Sequence, residues 1–145
     1  MTVEKDFVTS LISSIHAKWS GAYVIRSSDR FTLGVPDILA WCPMGEWPHA
    51  IAIEAKQLTP LMRDPFHRGR RTGDMLKHPF MGPQISTLRK MKRAGVDARG
   101  IVRASEDTAF MFDPDLLPAK TGNFTHTWML QYGVALKREG GAWRL

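Results

Sequence analysis

Two apolar runs constrain this chain more than any other feature: Gly34-Val35-Pro36-Asp37-Ile38-Leu39-Ala40-Trp41 and His49-Ala50-Ile51-Ala52-Ile53-Glu54-Ala55-Lys56. A connection holding Pro43, Gly45 and Pro48 parts them, which predicts two neighbouring strands. Side chains alternate faces along a strand. In the second run Ala50, Ala52, Glu54 and Lys56 share one face, and Ile51, Ile53 and Ala55 share the other. The isoleucine face reads as core, and the alanine face is small enough to leave room beside Glu54 and Lys56. If the runs pair as a hairpin, Asp37 at the start of one lies near Glu54 at the end of the other. Two carboxylates and one ammonium then converge at one end of a sheet. Carboxylates with water suit a hard cation such as magnesium, and a lysine beside them can hold or polarise water.

The rest of the chain reads as support for these strands. Residues 3–19 predict a helix, with Phe7, Val8, Leu11, Ile12, Ile15 and Trp19 on one stripe, Thr2 as cap and Gly21 as stop. Glu4 on the edge of that stripe reads two ways: as an acid that favours a helix N-terminus, or as a side chain pointing inward at the helix start. His16 reads as a surface residue. Residues 22–26 predict a short strand, followed by the polar loop Ser27-Ser28-Asp29-Arg30; with Arg26, its hydroxyls and arginines suit phosphate contacts. Residues 57–81 are punctuated by proline and glycine and carry Arg63, Arg68, Arg70, Arg71 and Lys77. This predicts a long basic loop, mobile and able to close on nucleic acid. His67 and His78 stand isolated within it and make poor metal ligands.

Pro83 opens a helix that runs to Ala94 and stops at Gly95. Gln84 lies on its sheet-facing stripe with Leu88 and Met91, while Arg89, Lys90, Lys92 and Arg93 face elsewhere. Two more strands follow at 98–103 and 108–112. The tail from about 113 leaves two readings open, a helix over 126–138 or a hairpin over 134–145 turning at Glu139-Gly140-Gly141. Trp128, Met129, Tyr132 and Trp143 serve there either as a dimer surface or as a cap on the chain's own core. The whole, residues 1–145, predicts a single α/β domain with a central mixed sheet flanked by helices.

Charge is uneven. Residues 57–103 hold eleven Lys and Arg against three Asp, although the net charge of the chain is only +6. A basic belt beside an acidic pocket suits a polyanion-binding protein with a metal site, and equally an ordinary solvated surface. No run of about twenty apolar residues is present, which argues against a membrane span. Cys42 is the only cysteine, which excludes an internal disulfide and a cysteine-cluster zinc site and predicts a reducing, cytoplasmic setting.

Pro36-Asp37 followed by Glu54-Ala55-Lys56 resembles the signature of the PD-(D/E)xK nuclease superfamily, and the order helix, three strands, helix, strand is similar to its αβββαβ, restriction-endonuclease-like core. Gly34-Val35-Pro36-Asp37 and Gln84 at a helix start resemble the small virus-type replication-repair nuclease domains and archaeal-type Holliday junction resolvases. The resemblance covers roughly residues 3–112. It implies that Asp37, Glu54 and the Ala55 carbonyl bind a divalent metal, magnesium or manganese, with Glu4 as the helix glutamate beside it. It implies that Lys56 orients water and offsets developing charge, and that Gln84 is the auxiliary glutamine. The expected function is metal-dependent endonucleolytic cleavage of duplex or branched DNA in recombination, repair or replication, by a homodimer if the substrate is a Holliday junction. Arg26, Ser27, Ser28, Arg30, Arg63, Arg68, Arg70, Arg71, Lys77, Arg89 and Lys90 are the expected DNA contacts. The competing expectations are a non-catalytic nucleic-acid-binding module on the same fold, and a small toxin-like or accessory protein whose basic belt meets a protein partner.

Overall fold

The computed structural model describes residues 3–27, 34–44, 47–58, 61–66, 80–117 and 125–145. Helix α1 (Val3–Lys18) leads into strands β1 (Tyr23–Arg26), β2 (Ile38–Met44) and β3 (Trp47–Gln57), then helix α2 (Gly82–Arg93) and strands β4 (Asp97–Arg103) and β5 (Thr108–Phe112). A 3-10 turn (Pro114–Leu116), helix α3 (His126–Tyr132) and strands β6 (Val134–Glu139) and β7 (Ala142–Trp143) complete it. The strands lie in sequence order in one seven-stranded sheet. β3 and β4 pair in parallel through the α2 crossover, and every other neighbouring pair is antiparallel. This is the expected mixed α/β sheet with the αβββαβ order at its centre.

The two faces of β3 divide as the alternation requires. Ile51, Ile53 and Ala55 join Ile38, Ala40, Cys42 and Ile101 beneath the α1 stripe of Phe7, Val8, Leu11 and Ile15. On the other face Ala52 and Ala98 meet Leu88 of α2, with Leu39, Met91 and Val96 around them. The small alanines therefore do not leave open space. They let α2 lie directly on the sheet, and Ala52 is completely buried.

Two glycines set where α2 begins. Gly34 has φ +87°, and a Cβ there would lie 2.6 Å from Thr87 Oγ1 and 2.7 Å from the Pro83 carbonyl oxygen. A Cβ on Gly100 would lie 2.8 Å from the Phe80 ring. Gly100 is the β4 partner of Glu54, so the ring that precedes α2 rests beside the acidic end of β3.

The strands β2 and β3 run farther than expected, through Pro43 and Pro48, which face each other. Both lie beyond the ends of their outer neighbours, whose registers stop at Trp41 and Ile51, so neither proline costs an outer ladder hydrogen bond. The first part of the expected loop at 57–81 is packed. The Leu58 N–H donates to Arg103 O at 3.0 Å and the Met62 N–H to Ala104 O at 2.7 Å. His126 Nε2 and the Pro65 carbonyl oxygen lie 2.6 Å apart, and Leu58 and Phe80 join the core. Residues 67–79, with Arg68, Arg70, Arg71, Lys77, His67 and His78, lie outside the described residues, as do Thr2, Ser28 and Arg30.

The tail contains both of its expected elements in shortened form. Helix α3 stops at Gly133, where a Cβ would lie 2.7 Å from the Met129 carbonyl oxygen and 2.9 Å from the Phe112 ring. A hairpin then turns at Gly140 and Gly141, both at positive φ. β6 pairs with β5, so the segment after 113 extends the sheet instead of standing apart from it. Trp143 is buried, its N–H bonded to Ser14 Oγ at 2.8 Å, its Nε1–H to Ser10 Oγ at 3.0 Å, and its ring edge-on to Phe7. Met129 is fully buried and Trp128 stacks on Phe112. These three residues cap the chain's own core; of the four tail candidates only Tyr132 is exposed. Among the described residues, no helix is long and apolar enough to cross a membrane.

Candidate active site

The antiparallel register that opposes Ile38 to Ile53 brings Asp37, one residue earlier, to Glu54, one residue later. Pro36 is buried and holds Asp37 at the mouth of β2. The Ala55 N–H donates to Asp37 Oδ2 at 2.9 Å, which aims this carboxylate across the strand pair. Glu54 is 2% exposed. Its Oε1 accepts from Gln84 Nε2 at 2.7 Å and lies 3.6 Å from Lys56 Nζ. Its Oε2 is buried with no hydrogen-bond partner.

Gln84 owes its orientation to the helix it starts. Its Oε1 accepts the Met81 N–H at 2.8 Å, a bond that satisfies one of the donors at the head of α2. With the carbonyl end so occupied, the amide nitrogen is the end that faces Glu54. The glutamine is therefore both cap and clamp.

Electrostatics sharpen the site. Burial, and then the neighbouring Asp37 charge, push the Glu54 carboxyl up from 4.5 to about 8, against the pull of Lys56. Asp37 is also raised, by burial, although the Ala55 N–H, Lys56, the neighbouring Glu54 carboxyl and Arg26 all favour its charged form. A buried carboxyl and a half-buried one that repel each other cannot both be ionised cheaply. At neutral pH the metal-free pair retains a proton, chiefly on Glu54. A divalent cation held between the two would relieve the same repulsion and give Glu54 Oε2 a partner. The donor set, two carboxylates, fits a hard cation. Among the described residues, no third His, Cys, Asp or Glu completes a metal-holding cluster. Glu4 sits in the first turn of α1, but its side chain lies outside the described residues.

The expected DNA contacts fare differently from one another. Arg26 donates from Nη1 to Thr9 Oγ1 at 2.8 Å and from Nη2 to Lys5 O at 2.9 Å, so it fastens β1 to α1. The Ser27 N–H donates to the Asp37 carbonyl oxygen at 2.9 Å. Arg89 is anchored to the Pro114 and Leu117 carbonyl oxygens at 3.0 and 2.8 Å. Arg63 and Lys90 are exposed. The positioning roles of Gly34, Gly100 and Phe80 escape a reading of the sequence, although Gly34 stands within Gly34-Val35-Pro36-Asp37. Its positive φ and its contact with Pro83 exist only once α2 is docked. The partnerless, buried Gln57 Oε1 at the end of β3 gives no signal in sequence either.

No protein-family model matches this chain, and no curated protein sequence matches it. Its fold is similar to solved structures, among them Hjc, a Holliday junction resolvase from the archaeal hyperthermophile Archaeoglobus fulgidus. That likeness has a TM-score of 0.53 and 18% sequence identity, and covers 90% of this chain and 91% of the other. The chain therefore has a resolvase-type, restriction-endonuclease-like fold, and the likeness extends past residue 112 into the tail.

Proposed function

We propose that this protein is a metal-dependent endodeoxyribonuclease of the PD-(D/E)xK kind, acting on branched DNA. The observation that carries the reading is the convergence of Asp37, Glu54 and Lys56, with the buried Glu54 Oε2 lacking a partner, on a fold shared with a Holliday junction resolvase. Asp37 and Glu54 would hold magnesium or manganese, with the Ala55 carbonyl and Glu4 as further ligands. Such a cation supplies a Lewis acid at the phosphate and makes water a stronger nucleophile at neutral pH.

The chain's own groups set up the rest. The Ala55 N–H and the Gln84 amide aim the two carboxylates, so little reorganisation accompanies metal loading. Lys56, partly buried and beside Glu54, would hold the attacking water and offset charge that develops on the phosphate oxygens. The surrounding lysines and arginines would bind the backbone with little reading of base sequence. A resolvase makes two symmetric cuts, so the acting species would be a homodimer.

The test is to incubate purified protein with a four-way junction, a flap, a linear duplex and single-stranded DNA, each with magnesium and with chelator. Magnesium-dependent cuts that favour the junction are expected from the parent and not from Asp37→Asn. Cleavage by Asp37→Asn and Lys56→Ala at the parent's rate would sink the assignment. Tight DNA binding with no turnover on any form would make the chain a binding module on a nuclease fold.

A further inference from the structure

The outer side of α2 carries polar side chains that the Asp37–Glu54–Lys56 site does not use. Gly82, Ile85, Ser86, Arg89 and Arg93 line an open cleft of about 250 Å³. Gly82, Ser86, Arg89 and Arg93 follow one another at steps of four, three and four residues, which puts them on one stripe of the helix. Arg89 is held by its two carbonyl partners, Pro114 and Leu117, and so presents its guanidinium in a set position. The side chains of Ser86 and Arg93 have no hydrogen-bond or ion-pair partner among the described residues. The nearby acids Asp113 and Asp115 are both bound to Lys92, at 2.8 and 2.6 Å, and among the described residues neither forms an ion pair with Arg89 or Arg93.

Two guanidinium groups and a hydroxyl around an open cleft form a donor set for phosphate. Position says which phosphate. Gln84, two residues from Ser86, touches Glu54. Along the helix axis Ser86, Arg89 and Arg93 stand roughly 3, 7.5 and 13.5 Å beyond Gln84. At 3.6 residues per turn these side chains also lie roughly 140–200° around α2 from Gln84, so a strand that leaves the acidic site must pass around the helix as well as along it; at about 3.4 Å of axis per nucleotide, the phosphate that meets Arg89 and Arg93 is at least about two to four nucleotides from the bond cut. We propose that the α2 cleft binds backbone phosphates of the nucleic acid flanking the bond cut at Asp37 and Glu54, with Ser86 and Arg93 as the contacting side chains and Arg89 as the fixed one. The identity of the ligand rests on the nuclease reading; the anion cleft itself does not.

The test measures binding without cleavage. Fluorescence anisotropy of a labelled four-way junction and a labelled duplex is followed in chelator across a potassium chloride series, for the parent, Arg93→Ala, Ser86→Ala and, as control, the exposed Arg144→Ala. Arg93→Ala is expected to weaken binding several-fold and to lower the slope of log K against log salt by about 0.9, the loss of one phosphate contact on duplex DNA. Ser86→Ala should weaken binding less and leave the slope alone, and Arg144→Ala should match the parent. In magnesium, Arg93→Ala should raise KM and keep kcat. An Arg93→Ala slope equal to the parent's overturns the proposal, even if the parent cleaves DNA. A lowered slope in a protein that cleaves nothing sustains the cleft and refutes the nuclease. No DNA binding by the parent, with Arg93-dependent binding of poly-glutamate in its place, overturns the cleft's assignment to nucleic acid.

Discussion

Replacing Glu54 with glutamine should make the metal-free protein more stable at neutral pH. Glu54 is 2% exposed, and its carboxyl is raised from 4.5 to about 8 by burial and by Asp37. A group whose pKa rises on folding contributes its full stability below the unfolded value and loses it as pH climbs through the folded value. The window is therefore pH 4.5 to about 8. At about 1.36 kcal/mol per pH unit, the cost accumulated by pH 7 is on the order of 3 kcal/mol. Glutamine keeps the shape, still accepts the Gln84 N–H, and carries no charge to repel Asp37. In urea titrations with chelator, the parent should lose stability steadily from pH 4.5 to 8, while Glu54→Gln stays nearly flat. The variant should then stand roughly 2–3 kcal/mol above the parent at pH 7, and the two should converge near pH 4.5. Magnesium should restore the parent at pH 8 and leave the variant unchanged. Parallel pH profiles for the two proteins would show that Glu54 holds no strained charge, and the argument for a cation there would fall with it.

Other consequences can be checked on the same material. Lys56→Ala should keep the parent's circular dichroism spectrum and lose at least about 100-fold in cleavage rate, the scale of one transition-state donor. Gly34→Ala should lower stability by at least about 1–2 kcal/mol from its left-handed backbone alone, and should also displace Pro83 and Thr87, so thermal melting and cleavage should both fall. Trp143→Ala should cost about 3–5 kcal/mol, as loss of a large buried ring does, and leave Ser10 Oγ without its indole N–H donor; a melt within about 2 °C of the parent would refute its place in the core. Asp97, lowered because hydrogen bonds from Arg99 and His49 outweigh its partial burial, contributes stability that is present above pH 3.8 and lost as pH falls below it. Asp97→Asn should therefore flatten acid unfolding below pH 3.8, measured by fluorescence.

The sequence by itself determined the central strands and which side chains meet at the end of β3. Alternation along Ile51–Lys56 assigns one face to α1 and puts Glu54 and Lys56 on the other, because a strand's period is two whatever surrounds it. A hairpin between the apolar runs pairs Asp37 with Glu54 by register alone. The helical stripe at Phe7–Ile15 and the Pro83 start of α2 are also local signals. The tertiary structure decided what depends on distant segments meeting. The tail's two readings both proved partial, because pairing with β5, a contact between elements, takes the chain into β6 straight after Gly133. Arg26 and Arg89 read as free cations until α1 and the 3-10 turn supply their acceptors. Gln84 lies within reach of Glu54 because Gly34 and Gly100 leave room for Pro83 and Phe80, and no spacing in the chain encodes that fit. The same docking buries Glu54 and withholds a partner from its second oxygen. Residue type and register put the acids together; packing gave them the low-dielectric setting that raises the Glu54 carboxyl.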